Sequence, residues 1–281
     1  MRVTSNGIAL NAPVHPMRAS SPHDDPVVLR RRFREDGYLL LRRVLDREAL
    51  LRLRGTYFGM FDPSYLAPGT TPRQGIWSGR TPEGLAAHGV AGHPAHTFVR
   101  SKAFAALAAD PRLLRLAEIL LDDPEPMRLP RQIVRHFHRG PRASRAHTDF
   151  DYLDRGSDRI LTMWIPIGDC PVQTGGLAYL EGSHRLDRAS LESLKQRRTD
   201  RPSDSRPISH DLGWVQQRLG GHWLYADYDA GDVAVHSPHL VHATFDTATE
   251  AMRLSADIRF LPLTVEPDPR WLKPWAGDDG N

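Results

Sequence analysis

Apolar residues in the first half of the chain recur at the spacing of amphipathic helices. Gly37 is placed to end the first helix, and residues 38–44 then form a compact apolar run that is typical of a strand. The predicted helices follow the capping residues Asp25 and Asp46 and occupy residues 102–109 and 112–121. Residues 26–123 are therefore expected to be mainly helical.

From residue 124 onwards the pattern changes to short apolar or alternating runs that are separated by glycine-containing turns. The predicted strands cover residues 127–137, 160–167, 177–180, 223–228, 233–236 and 253–261. Because the helices precede the strands and do not alternate with them, we expect an antiparallel sheet system with helices packed outside it. Residues 186–222 look like a helical and polar insertion into this β core, which spans residues 124–262.

Three further stretches lack a regular period. Residues 1–25 are polar and contain several prolines, so they predict a flexible N-terminal arm, and residues 266–281 predict a C-terminal tail. Residues 61–95 are rich in glycine, proline and histidine, which is typical of a lid or binding loop and equally of a surface excursion with local turns. The remainder, residues 26–265, is expected to form one domain.

The composition excludes several classes of protein. The chain has 281 residues, enough for one large domain, and 37 Lys+Arg against 34 Asp+Glu give a net charge of +3. This excess is small for a protein that neutralises nucleic-acid phosphates, and no run approaches the roughly 18 apolar residues of a membrane span. We therefore expect neither a nucleic-acid nor a membrane partner. The single cysteine, Cys170, cannot form an internal disulfide and predicts a reducing, cytoplasmic compartment.

One pair of residues in the β region has the spacing of metal ligands. His147 and Asp149 lie two residues apart, so in extended backbone both side chains point to the same side. Two imidazoles and one carboxylate on one face leave open positions on an Fe(II) ion, the arrangement of non-haem iron oxygenases. The chain contains a second His-x-Asp sequence at His23 and Asp25, but there the aspartate is placed to cap a helix.

The second imidazole is expected from a later strand, where His236, His239 and His242 are candidates. Arg253 follows His242 by 11 residues and begins an alternating strand. A guanidinium at the rim of such a site can hold a carboxylate through two parallel hydrogen bonds, as a 2-oxo acid cosubstrate requires. This spacing favours His242 as the ligand.

Three stretches then carry a resemblance to a known family: HTDFDYL, LTMWIPIGDCPVQTGGLAYLEGSHR and AGDVAVHSPHLVHATFDTATEAMRLSADIRF. They resemble the motif blocks of the phytanoyl-CoA dioxygenase family of Fe(II)- and 2-oxoglutarate-dependent oxygenases. A weaker likeness reaches GYLLLRRVL near the N-terminus, so the resemblance spans about residues 27–262. It implies a mainly β fold with flanking helices (α+β), built on a double-stranded β-helix, or jelly roll, of the cupin type.

The resemblance also implies a role for particular residues. His147, Asp149 and His242 would hold Fe(II), and Arg253 would bind the distal carboxylate of 2-oxoglutarate, with O2 as the other cosubstrate. The further residues that it places around 2-oxoglutarate are Thr244, Trp164 and Gln132. Asp149 occupies the position where related halogenases have a small residue, so hydroxylation, or desaturation, epoxidation or ring closure by the same oxidant, is preferred to halogenation.

The activity expected from these observations is hydroxylation of an unactivated C–H bond with release of succinate and CO2. The substrate is not readable; a small polar metabolite or biosynthetic intermediate is the hypothesis, and the oligomeric state stays open. Arginines near the metal strand, at positions 131, 135, 142 and 145, are compatible with an anionic group. Two alternatives remain: a zinc hydrolase that uses the same histidines, and a non-catalytic jelly-roll binding module.

Overall fold

The structure, a computed structural model, describes residues 2–153, 158–197 and 204–276. Asp25 begins the first helix by accepting a hydrogen bond from the backbone N–H of Val27, and Gly37 ends it in a left-handed conformation with φ of 76°. The predicted caps are thus confirmed. The helices are α1 (Pro26–Asp36), α2 (Arg47–Phe58), α3 (Pro94–Phe98), α4 (Lys102–Ala108), α5 (Pro111–Leu121), α6 (Arg188–Arg197) and α7 (Leu212–Leu219). None of these helices combines the length and the apolar character needed to cross a membrane.

In chain order the strands are β1 (Val3–Ser5), β2 (Ile8–Leu10), β3 (Val14–Pro16), β4 (Ala19–Ser20), β5 (Tyr38–Leu41), β6 (Met127–Arg128), β7 (Ile133–Phe137), β8 (Leu161–Pro166), β9 (Leu177–Leu180), β10 (Trp223–Tyr225), β11 (Val233–His236), β12 (His242–Thr244) and β13 (Arg253–Leu261). Strands β1 and β2 form a small sheet of their own, and the others form the two sheets of the β core. The larger of these has the order β4-β5-β11-β8-β13-β6, with β7 also paired to β13, and the smaller has the order β12-β9-β10-β3. The fold is the predicted jelly roll with flanking helices.

Strand β13 separates the apolar core from the space between the sheets. All nine of its residues are buried. Leu254, Ala256, Ile258 and Phe260 belong to the core that the helices cover. Because side chains alternate along a strand, the intervening residues face the opposite sheet, and these are all polar: Arg253, Ser255, Asp257 and Arg259. The interior of the jelly roll is therefore polar where β13 crosses it.

The N-terminal residues differ from the expected flexible arm. Strands β1 and β2 form a hairpin, β3 pairs in parallel with β10, and β4 pairs in parallel with β5. The buried carboxylate of Asp246 accepts hydrogen bonds from the backbone N–H groups of Asn6, at 2.8 Å, and Gly7, at 2.9 Å. The short polar segments become ordered because they complete the edges of two sheets whose strands lie far away in the sequence.

Because Asp246 holds the N-terminal hairpin in place, we expect Asp246→Ala to destabilise the protein. The substitution removes two hydrogen bonds from backbone N–H groups to a buried carboxylate, so the free energy of unfolding should fall by about 1–3 kcal/mol. Urea denaturation measures the loss, and limited proteolysis should show faster cleavage within residues 2–20. Asp158→Ala, which removes an exposed carboxylate, should change neither result. Equal unfolding curves for Asp246→Ala and the unmodified chain would mean that the N-terminal segment is not docked.

Two other expectations change in detail. The strand predicted over residues 127–137 is divided into β6 and β7, with Pro130 between them, because proline has no N–H group for a sheet ladder. Part of the predicted C-terminal tail is packed into the protein. Trp271 is buried, and Trp275 is fully buried with its ring centroid 4.3 Å from that of His96. Residues 277–281 lie outside the described part of the chain.

Candidate metal centre

Strand pairing brings the two predicted histidine ligands together. His147 and His242 form an antiparallel bridge in which each backbone N–H donates to the other's carbonyl, at 3.0 and 2.9 Å. Residues directly opposite each other in such a bridge have adjacent side chains, and the two ring centroids lie 4.1 Å apart. The 3-10 helix Asp149–Asp151 follows at once and turns the carboxylate of Asp149 towards both rings.

The three side chains can act on one ion. One ligand atom from each of His147, Asp149 and His242 lies within 4.8 Å of the others. Oδ1 of Asp149 is 3.6 Å from Nε2 of His242 and 4.0 Å from Nε2 of His147. A set of two imidazoles and one carboxylate, with open space on one side, suits a first-row divalent metal such as Fe(II).

Both imidazoles are oriented and neutral before a metal binds. Nδ1 of His147 lies 2.6 Å from the carbonyl oxygen of Arg145, and Nδ1 of His242 lies 2.9 Å from that of Leu240. A carbonyl can only accept, so Nδ1 carries the proton in each ring and the lone pair is on Nε2, which faces Asp149. Burial lowers the pKa of His147 and holds the pKa of His242 well below its ordinary value. Neutral imidazole is the form that binds a metal.

The carboxylate of Asp149 is held from its other side. The hydroxyl of Thr162 donates to Oδ2 at 2.5 Å, and Nη2 of Arg259 lies 3.4 Å from the same oxygen. Nε2 of His236 lies 3.5 Å from Oδ2, while its Nδ1 bonds the hydroxyl of Tyr179 at 2.9 Å. Burial alone would raise the pKa of Asp149, but Arg259 and His236 outweigh it and keep that pKa well below its usual value. Oδ1 is thus left ionised and available to a metal.

Removal of the Thr162 hydroxyl should weaken the metal site. Thr162→Val keeps the branched shape but deletes the shortest hydrogen bond to Asp149, so the dissociation constant for a divalent metal should rise by roughly 10-fold or more. Titration of the full chain with Co(II), followed by its visible absorbance, measures this constant. Thr247→Val is the matched control, because its buried hydroxyl donates to the carbonyl of Thr174 and has no contact with the triad. An equal rise in both variants would contradict the role given to Thr162.

Two adjoining spaces meet at the triad. The outer cavity, of about 350 Å³, is lined by residues that include Arg131, Arg145, Tyr152, Arg206, Arg270 and Trp271. The narrower inner pocket is lined by residues that include Trp164, Leu177, His236, His242 and Thr244. Both spaces share the lining residues Arg135, Ser144, His147, Asp149 and Arg259. No residue of the 61–95 segment lines either space, so among the described residues that segment forms no lid over the triad.

Arg253 is buried against Phe137, which lines the outer cavity, but Arg253 itself lines neither space. Its side chain is 1 % exposed, its Nη1 donates to the carbonyl of Gly175 at 2.5 Å, and its guanidinium lies 4.0 Å from the ring centroid of Phe137. Nε and Nη2 have no hydrogen-bond partner among the described residues. Burial lowers the pKa of Arg253 to about 10, so the group remains charged at neutral pH. Two unused donors on a buried cation make this guanidinium a candidate partner for an anionic ligand.

Of the three other residues predicted to surround 2-oxoglutarate, two line the inner pocket and one does not. Trp164 and Thr244 line the inner pocket, and the hydroxyl of Thr244 accepts a hydrogen bond from the backbone N–H of Ser144 at 2.7 Å. Gln132 lines neither space; its side chain donates to the carbonyl of Leu129. Side chains alternate along an extended stretch, so Gln132 lies on the other side of the chain from its neighbours Arg131 and Ile133, which do line the outer cavity.

Sequence reasoning missed the closest cation to the triad. Arg259 lies six residues after Arg253 on the same strand, so alternation places both side chains on the interior face. The two-residue alternation along this strand could therefore have identified Arg259 from the sequence. The contacts of His236 and Thr162 with Asp149 join separate strands and have no signal in a single sequence.

Comparisons with known proteins agree with this geometry. The family model described as phytanoyl-CoA dioxygenase (PhyH) matches residues 33–255. The fold is similar to that of the non-heme alpha ketoglutarate dependent epimerase SnoN from nogalamycin biosynthesis (22 % identity, 87 % of each chain covered, TM-score 0.59). It is also similar to the apoform of EctD from S. alaskensis (19 % identity, 98 % of this chain and 90 % of that chain, TM-score 0.60). The non-heme alpha ketoglutarate dependent carbocyclase SnoK is a third such structure (19 % identity, 90 % of each chain, TM-score 0.58). No curated protein matched the sequence.

Proposed function

Because the chain belongs to the phytanoyl-CoA dioxygenase family, we propose that it is an Fe(II)- and 2-oxoglutarate-dependent hydroxylase of a small metabolite or biosynthetic intermediate. The observation that carries the proposal is the convergence of His147, Asp149 and His242 from separate segments, with all three ligand atoms within 4.8 Å. Solved structures of similar fold include SnoN in complex with Fe3+, alpha ketoglutarate and a nogalamycin compound, and EctD with 2-oxoglutarate and 5-hydroxyectoine.

The residues present fit both groups. The histidines offer Nε2 and Asp149 offers Oδ1, which is the donor set that Fe(II) takes in non-haem oxygenases. The buried guanidinium of Arg253 has two donors without partners among the described residues, which suits the distal carboxylate of 2-oxoglutarate. Trp164 and Thr244, in the inner pocket on the way to the triad, would border the same molecule. Gln132 has no place in this arrangement.

When bound, iron and 2-oxoglutarate would use O2 to oxidise a C–H bond: one oxygen atom would enter the alcohol product and the other the succinate that is released with CO2. The protein's part is positioning and exclusion of water. His147, Asp149 and His242 would hold the ion from the side of the triad, so that the outer cavity would be left to the substrate. Asp149 keeps its carboxylate at the position where a halide would need room, so we propose hydroxylation and not halogenation. Thr162 and Arg259 hold that carboxylate in place.

Two other outcomes have to be separated from hydroxylation. The similar folds of an epimerase and a carbocyclase mean that the same fold carries reactions without net hydroxylation. A zinc hydrolase could use the same three ligands, but it would leave the buried charge of Arg253 without a partner. A binding module without activity would not require the triad, the arginine and the hydrogen bonds to Asp149 together.

The experiment is a measurement of succinate formed from 2-oxoglutarate by the full chain, with Fe(II) and in parallel with Zn(II). Even without the substrate, such enzymes are expected to turn over 2-oxoglutarate slowly when iron is present. We expect succinate with iron and none with zinc or without O2. Mass spectrometry of product from a metabolite mixture should then show a gain of one oxygen atom. Turnover with zinc alone would exclude the oxygenase, and an isomeric product would exclude hydroxylation.

A further inference from the structure

The outer cavity is strongly basic. Six arginines line it, against two aspartates, and one of these aspartates is the metal ligand Asp149. The arginines are Arg131, Arg135, Arg145, Arg206, Arg259 and Arg270, and the other aspartate is Asp204. A concave surface with so large an excess of one charge attracts ligands of the opposite charge.

Several of these arginines have carboxylate partners. Nε of Arg206 lies 2.8 Å from Asp204, and Nε of Arg135 lies 3.0 Å from Asp257. Arg270 pairs with Asp268 at 3.1 Å, and Arg259 approaches Asp149 as described above. The ion pairs hold these side chains in fixed positions around the cavity. They do not remove the excess, because the six arginines face four carboxylates in all, those of Asp149, Asp204, Asp257 and Asp268, which leaves two positive charges over.

Arg145 differs from the four arginines that have carboxylate partners. It is half-buried, lines the outer cavity and forms no ion pair with any residue of the described ranges. Its position next to the metal site is fixed by its own backbone, because its carbonyl oxygen bonds Nδ1 of His147 at 2.6 Å. The side chain of Arg145 therefore lines the same outer cavity that the open side of the triad faces.

Aromatic rings orient the neighbouring guanidinium groups. Arg206 lies over the ring of Tyr152, at 4.5 Å from its centroid, and Arg259 lies over Trp271 at 4.7 Å. Stacking uses the face of a guanidinium and leaves its edge for hydrogen bonds. Nε and Nη1 of Arg259 have no hydrogen-bond partner among the described residues, whereas Arg206 already bonds Asp204 through Nε and Nη2. Planar forks around one cavity suit an oxyanion such as a carboxylate or a phosphate group.

We infer that the outer cavity binds an oxyanion group of the substrate, with Arg145 as a principal contact, and that the substrate is therefore an acidic small molecule. This inference rests on the proposed function and specifies its substrate class. The bound oxyanion would hold the rest of the substrate against the open side of the triad. It is a different position from that proposed for 2-oxoglutarate, because neither Arg253 nor the inner-pocket residues Trp164 and Thr244 line the outer cavity.

The test uses the full chain loaded with Fe(II) and 2-oxoglutarate without oxygen. Sulfate, as a tetrahedral dianion, and acetate, as a carboxylate, are titrated by calorimetry at constant ionic strength, because salt screens such contacts. The visible charge-transfer absorbance of the iron–2-oxoglutarate complex reports whether 2-oxoglutarate stays bound. We expect at least one anion to bind while that absorbance persists, and glycerol, a neutral probe, not to bind.

The variant Arg145→Gln should weaken anion binding by about 10-fold or more, since it removes charge-assisted hydrogen bonds. Arg145→Lys, which keeps the charge and loses the fork, should give an intermediate constant. Arg142→Gln is the matched control: Arg142 is exposed, lies three residues earlier and lines neither space. Tighter binding of sulfate than of acetate would indicate a phosphate ester or a sulfate ester, and the reverse order would indicate a carboxylic acid.

Three results would overturn the inference: no binding of either anion, equal weakening in Arg142→Gln and Arg145→Gln, or loss of the charge-transfer absorbance as the anion binds. The last result would mean that the anion takes the place of 2-oxoglutarate. Absence of that absorbance from the start would contradict the proposed function instead. The calorimetric comparison of the variants would still test the anion site in that case.

Discussion

Asp149→Ala should lose metal binding and 2-oxoglutarate turnover together. Asp149 provides the only carboxylate of the triad, and its removal also takes from the buried guanidinium of Arg259 one of its two carboxylate neighbours, leaving Asp257 at 3.7 Å. Changes to residues that merely orient a ligand reduce metal affinity by about 10–100-fold. Loss of the ligand itself should exceed this range, so we expect succinate formation to fall to the level of free iron. Co(II) titration and succinate release measure the two effects.

The second His-x-Asp sequence of the chain provides the matched control. Asp25→Ala removes a carboxylate from the same sequence pattern, but there the side chain accepts a hydrogen bond from the N–H of Val27. It should weaken the start of helix α1 and leave the metal dissociation constant unchanged. Wild-type turnover in Asp149→Ala, or equal loss in the two variants, would contradict the assignment of the metal ligand.

Arg253→Ala should raise the concentration of 2-oxoglutarate needed for turnover, with little effect on the rate at saturation. Loss of one partner from a buried, hydrogen-bonded charge pair costs about 2–5 kcal/mol, which corresponds to a rise of about 30-fold or more in KM. The maximal rate should change far less, because Arg253 does not contact the triad. Steady-state succinate release over a range of 2-oxoglutarate concentrations separates KM from kcat.

Arg253→Lys distinguishes the shape of the contact from its charge. A lysine keeps the positive charge but cannot form two parallel hydrogen bonds to one carboxylate, so its KM should lie between those of Arg253→Ala and the unmodified chain. Thermal unfolding of both variants should be measured alongside, because Arg253 is a large buried side chain. An unchanged KM in a folded Arg253→Ala protein would show that 2-oxoglutarate binds elsewhere. Arg259 and Arg135, which line both spaces, would then be the next candidates.

The sequence predicted the secondary structure well where the signal is local. The helices begin at Asp25, Asp46 and Asp110 because an aspartate side chain there accepts a hydrogen bond from the first turn of each helix. The strands of the β core follow from apolar runs between glycine turns. Residues 1–25 were wrongly expected to be flexible, since β3 and β4 have no periodicity of their own and become strands only by pairing with β10 and β5.

The sequence by itself was enough to select His147, Asp149 and His242 as candidate ligands, because the short spacings from His147 to Asp149 and from His242 to Arg253 can be read along the chain. The tertiary structure alone decided what surrounds them. Thr162, His236 and Arg259 reach Asp149 from three different strands, and Arg145 gains its importance from a cavity wall that distant segments complete. Such contacts depend on how strands align across the sheets, and that alignment is set by the packing of the whole core and not by any short stretch of residues.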